Sequence, residues 1–104
     1  MDQYLYQIRP TRVEMLSQGP DERESRLVAE HFEYLRRLTE EGVVLMAGRT
    51  LDSDARAFGI VVFTAKSHEA ARELMGRDPA VAQGVMQAEL FPFRMGLWSR
   101  RATA

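Results

Sequence analysis

Cysteine is absent from this chain. That gap removes disulfide frameworks, thiolate metal sites and a cysteine nucleophile together. Long apolar runs are missing too; none approaches the roughly 20 residues of a membrane span, so no membrane partner is expected. Charge of one sign is not concentrated anywhere. The 14 Lys and Arg residues are interspersed with 15 acids, for a formal net charge of -1. Without a basic stripe, nucleic acid is not an expected partner. Histidine occurs only twice, at His31 and His68, with no metal-ligand spacing, so no metal is expected. A Gly-rich phosphate loop is also missing: "MAGRT" has one glycine and precedes no helix. The opening "MDQYLYQIRP" lacks the basic end and apolar run of a signal peptide. The expectation is a cytoplasmic, soluble, globular protein with one domain over residues 1–104.

What is present divides cleanly into elements. "YLYQI" (Tyr4 to Ile8) is aromatic and β-branched, as a strand requires, and Pro10 ends it. Residues 10–20 read as a loop, though Val13, Met15 and Leu16 predict that it packs against something. A helix follows over 21–41. Asp21 caps it, Glu24 completes a capping-box spacing, and Gly42 stops it. Leu27, Val28, Phe32, Leu35 and Leu38 make one apolar stripe, with charged residues opposite. "VVLMAG" (Val43 to Gly48) and "AFGIVVFT" (Ala57 to Thr64) read as strands. Gly48 is expected to mark a close backbone approach at a strand end. Ser67 caps a second helix running to Gly76, and "VMQAELFPFRMGLW" reads as a long terminal strand. Its phase slips near Leu90-Phe91, and Pro92 predicts a bulge or an edge position.

The order is strand, helix, strand, strand, helix, strand. That is the ferredoxin-like βαββαβ arrangement of an α+β protein, a four-stranded antiparallel sheet with both helices on one face. Two helices leave the other face uncovered. A sheet with one wet face should alternate apolar and polar residues, yet the middle strands are apolar on both sides. Each exposed aliphatic side chain forgoes roughly 1.5–3 kcal/mol of burial. The pattern predicts a homodimer with the sheets packed face to face.

His31 shares one helical line with Leu27, Leu35 and Leu38, so its ring points at the sheet. A buried imidazole needs a hydrogen-bond partner. A core histidine bonded to a backbone carbonyl would meet that need; so would a histidine under a pocket, oriented by a carboxylate. Asp78 in "DPAVAQG" is equally open. It caps a short helix with Pro79 at the first position and Gly84 as the stop, and local structure alone explains that. It could also reach the first helix and meet His31. His68, beside Ser67 and Glu69, reads as exposed surface. Arg49 at a strand end is a candidate for substrate binding. Tyr4, Tyr6 and Trp98 are strand aromatics, which fill cores more often than sites; Tyr6 is the one carried forward as a substrate-binding candidate.

The stretches "HFEYLRRLTEEGVVLMAGRTLD", "GIVVFTAKSHEAARELMGRDP" and "VAQGVMQAELFPF", in that order, resemble the YCII-related (YciI-like) family over nearly the whole chain. His31, Leu35, Gly42, Ala47, Gly48, Glu69, Ala70, Asp78, Pro79, Gly84, Pro92 and Phe93 occupy the pattern's places. The resemblance implies a dimeric α+β barrel and an active site on a histidine–aspartate pair, which falls on His31 and Asp78. It also implies an enzymatic character: the family includes a dehydrochlorinase of a chlorinated hydroxyquinol. Two departures touch the expected pocket rim: Arg49 stands where many members have proline, and the loop Thr50 to Arg56 is short and polar. Two functions follow as expectations. One is a cofactor-independent enzyme using His31 and Asp78 for elimination or isomerisation on a small, cyclic or aromatic molecule. The other is a non-catalytic dimeric protein that binds a small ligand.

Overall fold

The computed structural model describes residues 1–103. In chain order the elements are β1 (Asp2–Pro10), α1 (Glu14–Ser17), α2 (Glu22–Glu40), β2 (Val44–Arg49), β3 (Gly59–Ala65), α3 (His68–Gly76), α4 (Pro79–Ala82) and β4 (Met86–Phe93). A 3-10 turn follows at Arg100–Thr103. The sheet order is β2-β3-β1-β4, and every neighbouring pair is antiparallel. This is the ferredoxin-like arrangement, with α1 and α4 as one-turn additions.

The start of α2 shows how local chemistry sets an element. The Asp21 carboxylate accepts the Glu24 N–H at 2.7 Å, and the Glu24 carboxylate accepts the Asp21 N–H at 2.9 Å. This reciprocal box satisfies two of the helix's free donors. Glu24 also accepts from Arg12 at 2.9 and 2.6 Å, which ties the loop before α2 to its first turn. The Arg12 bond, then the Asp21 N–H, holds the Glu24 carboxyl down at about 2, against an ordinary 4.5. Unfolded Glu24 takes up a proton near 4.5, whereas folded Glu24 keeps its charge to about 2. The stabilisation is therefore complete above that range and is lost as pH falls through it. Glu24→Gln should flatten this acid limb: its urea midpoint should lie below wild type at pH about 6 and converge with it at pH about 2.

At the far end of α2, Gly42 takes φ +78°, a left-handed conformation that other residues adopt only with strain. The main core lies between the helices and one face of the sheet. Tyr4, Tyr6 and Ile8 of β1 face the same way as Val61, Phe63 and Ala65 of β3 and pack against Leu35 of α2 and Ala71 of α3. A smaller cluster joins Met15, Leu27, Ala80 and Val85. Residues 10–20 are thus not all loop: of the apolar residues expected to pack, Met15 and Leu16 lie in α1, which Val13 precedes and which buries Met15.

Three expectations need correction. The last strand stops at Phe93, and residues 94–99 are irregular. There the Met95 N–H bonds the Gln3 side chain at 2.6 Å, turning the chain off the strand path. No bulge occurs near Leu90-Phe91, because β4 pairs with β1 in unbroken register from Met86 to Phe93. Pro92 is tolerated because β4 is an edge strand; the register shift lies in β2, between Val44 and Met46. The tight approach expected at Gly48 belongs to Gly59. A Cβ at Gly48 would meet nothing within 4 Å, whereas one at Gly59 would lie 3.0 Å from Ile8 Cγ1 and 3.2 Å from the Gly48 carbonyl oxygen.

Candidate active site

Helix α2 carries His31 between Leu27 and Leu35, which are 3% and 8% exposed. That line points the imidazole inward, under the turn that joins α3 to α4. There Asp78 caps α4, with Pro79 at its first position. Asp78 has no exposure at all. Its Oδ1 accepts the Ala80 N–H at 3.0 Å, and its Oδ2 accepts the Tyr6 hydroxyl at 2.7 Å. His31 Nδ1 lies 2.8 Å from Oδ1 and 2.7 Å from Oδ2. Capping and pairing coexist because a carboxylate offers several lone pairs. Three elements converge on this one group: β1 through Tyr6, α2 through His31 and the first turn of α4.

The Tyr6 phenol is pushed far above its ordinary value, first by burial and then by the Asp78 charge. It therefore stays protonated and donates. Tyr34 is raised to about 12 for the same two reasons, and its hydroxyl bonds the Leu74 carbonyl oxygen at 2.6 Å. Asp78 thus sits in a ring of neutral donors with His31 as the partner that can carry charge.

With Nδ1 on the carboxylate, the other ring nitrogen decides what His31 can do. Nε2 has no partner among the described residues, yet none of their buried side-chain nitrogen or oxygen atoms lacks one. Nε2 is therefore not sealed in. His31 lines a cavity of about 340 Å³ between α2 and the sheet, with walls that are mainly apolar and include Ile8, Phe32, Leu35 and Val61. Donation of Nδ1–H to Asp78 leaves Nε2 of the neutral ring as an acceptor facing that space. Phe32, expected in the core stripe, is 66% exposed and stands in the cavity wall instead.

The other candidates fall differently. Arg49, exposed at the end of β2, lines the cavity. Tyr6 does not; it is fully buried behind the pair, with its hydroxyl on Asp78. His68 is exposed, with its ring 6.1 Å from Tyr4. Trp98 lies beyond the last strand and is half exposed. Among the described residues no three His, Asp or Glu side chains gather as a metal site. Sequence reasoning missed Arg9, which lines the cavity from the end of β1. It donates to the Ala57 carbonyl oxygen at 3.3 Å, and its guanidinium lies 5.5 Å from the Phe58 ring. Its place between Ile8 and Pro10 at a strand end was the available signal.

The family model described as the YCII-related domain matches residues 4–94. The chain belongs to the YCII-related domain family. No curated protein matches it by sequence. Among solved structures, this YCII-related chain is similar to the 5-chloro-2-hydroxyhydroquinone dehydrochlorinase TftG from Burkholderia phenoliruptrix AC1100, in complex with 2,5-dihydroxybenzoquinone. The TM-score is 0.63 at 19% identity, over 89% of this chain and 95% of that one. At that identity the likeness is one of fold.

Proposed function

We propose that this chain is a small cofactor-independent enzyme that moves a proton on a small cyclic or aromatic molecule, with His31 as base and then acid. The observation that carries this is the opening of the His31–Asp78 pair onto a cavity of ligand size. Nε2 takes a proton from a carbon or hydroxyl acidified by a neighbouring carbonyl. The electron pair left behind forms a new double bond. In an isomerisation the imidazolium returns the proton to another atom of the substrate. In an elimination a leaving group departs with its electron pair, and the imidazolium later releases the proton to water. Asp78 holds the ring's tautomer and faces the positive charge while it exists. Arg49 at the rim contacts the substrate, and Tyr6 acts from behind by holding Asp78.

A protein of the same fold is described as a dehydrochlorinase of a chlorinated hydroxyhydroquinone. Elimination from halogenated hydroquinols, followed by isomerisation of hydroxylated cyclic enones, is therefore the first chemistry to assay. Turnover that His31→Gln abolishes supports the proposal; equal turnover in that variant would end it.

The same proposal includes a second copy of the chain. The face of the sheet away from the helices carries Leu5, Met46, Val62, Phe91 and Phe93, with Gln3, Gln7 and Thr64 between them and the charged Arg9 and Glu89 towards one end. Phe91 and Phe93 are 39% and 40% exposed. A face whose middle is apolar suits an isologous contact, where like meets like. Light scattering at micromolar concentration should give twice the chain mass, and Leu5→Glu should halve it. A wild-type mass of one chain would refute the pairing.

A further inference from the structure

The cavity beside His31 carries charge that its own walls do not balance. Arg9 and Arg49 both line it, and no aspartate or glutamate does. Five other arginines sit on acids: Arg12 on Glu24, Arg26 on Glu30, Arg36 on Glu33 and Glu40, Arg56 on Asp52 and Asp54, and Arg77 on Glu73. The Arg49 side chain has no hydrogen bond or ion pair among the described residues. Arg9 donates to a backbone carbonyl and stacks on Phe58, contacts that hold the guanidinium in place without neutralising it. Asp78 does not answer them, because it lies behind the imidazole, fully buried and engaged with its own donors. In a chain whose net charge is -1, two unneutralised arginines at one mainly apolar cavity leave a local excess of positive charge.

We infer that the molecule bound here is an anion: a ring-sized apolar body bearing one acidic oxygen group, either a carboxylate or the oxyanion of an ionised enol or phenol. The body packs on Ile8, Phe32, Leu35 and Val61, and the oxygen group meets Arg49 and Arg9. Guanidinium suits this task because its planar fork matches paired oxygens and stays charged at every relevant pH. The inference rests on the acid–base reading for the substrate, and it adds chemical sense to it. Removing a proton from an anion builds further negative charge, and fixed cations at the oxygen end lower the cost of that step.

Binding of benzoate and of benzamide tests this directly. The two are nearly the same size and shape and differ in charge. Chemical shifts of the cavity residues, followed on the full-length protein, are expected to give benzoate at least a roughly tenfold lower Kd, with the gap narrowing as salt rises. Arg49→Gln should shrink the preference, and the pair Arg9→Gln with Arg49→Gln should abolish it. The Arg49 side chain makes no hydrogen bond or ion pair among the described residues, so its single variant retains the fold even if the double variant does not. Benzamide binding as tightly as benzoate, a preference that survives both substitutions, or no binding of either probe at tens of millimolar would each overturn the inference. Because the readout is binding, His31→Gln should keep the preference. Lost turnover in that variant, with no anion preference in wild type, would leave the acid–base reading standing and remove this one.

Discussion

Asp78→Asn is expected to keep the fold and lose turnover by about 10²–10⁴-fold, whereas Asp78→Ala is expected to lose roughly 3 kcal/mol or more of stability. The alanine variant strands three donors around a position with no exposure: the Tyr6 hydroxyl, the Ala80 N–H and His31 Nδ1–H. Each unpaired buried group costs about 1–3 kcal/mol, and the cap of α4 goes with them. Asparagine is different because it fills the same space. Its Oδ1 still accepts the Ala80 N–H, and the Tyr6 hydroxyl can rotate to accept from the new amide. His31 Nδ1, 2.8 Å from Oδ1 and 2.7 Å from the former Oδ2, then meets an amide N–H in place of one of its two oxygens, while the other is already engaged by the Ala80 N–H. The ring responds by accepting at Nδ1 and carrying its proton on Nε2. The nitrogen that faces the cavity becomes a donor, and the base is gone. Nitrogen shifts of the imidazole should report that exchange of tautomer, and urea unfolding should separate the two variants. Full turnover in the asparagine variant with Nδ1 still protonated would contradict the assigned role. Wild-type stability in the alanine variant would contradict the three-donor account.

Much of this arrangement is legible in the sequence, because it comes from short-range chemistry. The box at Asp21 and Glu24, the glycine stop at Gly42 and the Ser67 cap all act within a few residues, and each forms as its spacing implies. The inward turn of His31 follows from helical periodicity alone. What the chain order hides is distance across the fold. His31 and Asp78 are 47 residues apart, and Tyr6 and Asp78 are 72 apart. Nothing local says that a helix cap also serves a ring on another helix. Tyr6 shows the same limit: its strand makes it aromatic and buried, and only the packing gives its hydroxyl a carboxylate. Phe32 fits the apolar stripe by spacing but falls on its edge, where the stripe meets a cavity instead of a core. Gly48 and Gly59 lie diagonally across one strand pair, a single position out of step, and the crowding falls on Gly59, against the Gly48 carbonyl and Ile8. Residues 94–98 keep strand-like composition, yet one side-chain bond from Gln3 diverts them.

His31→Ala is expected to cut turnover by about 10²–10⁴-fold while leaving a folded protein, because the two effects depend on different atoms. Stability rests on Asp78 being satisfied, and without the imidazole it still accepts from Tyr6 and Ala80. The loss should therefore stay within about 1–3 kcal/mol, the range for one missing partner of a buried group. Turnover rests on Nε2, and no other titratable side chain in the cavity wall can take its place: Arg9 and Arg49 are permanent cations. The deletion also leaves a ring-shaped gap continuous with the cavity. Added imidazole should enter it, find Asp78 at the bottom, and restore part of the activity. It should not do so in the variant that also carries Asp78→Asn, where the oxygen that orients the ring is replaced. A protein that merely stores a ligand predicts another pattern: His31→Ala changes affinity modestly, and imidazole competes with the ligand instead of rescuing anything. Rate measurements with and without imidazole, on both variants, distinguish a base held by Asp78 from a histidine that only fills space.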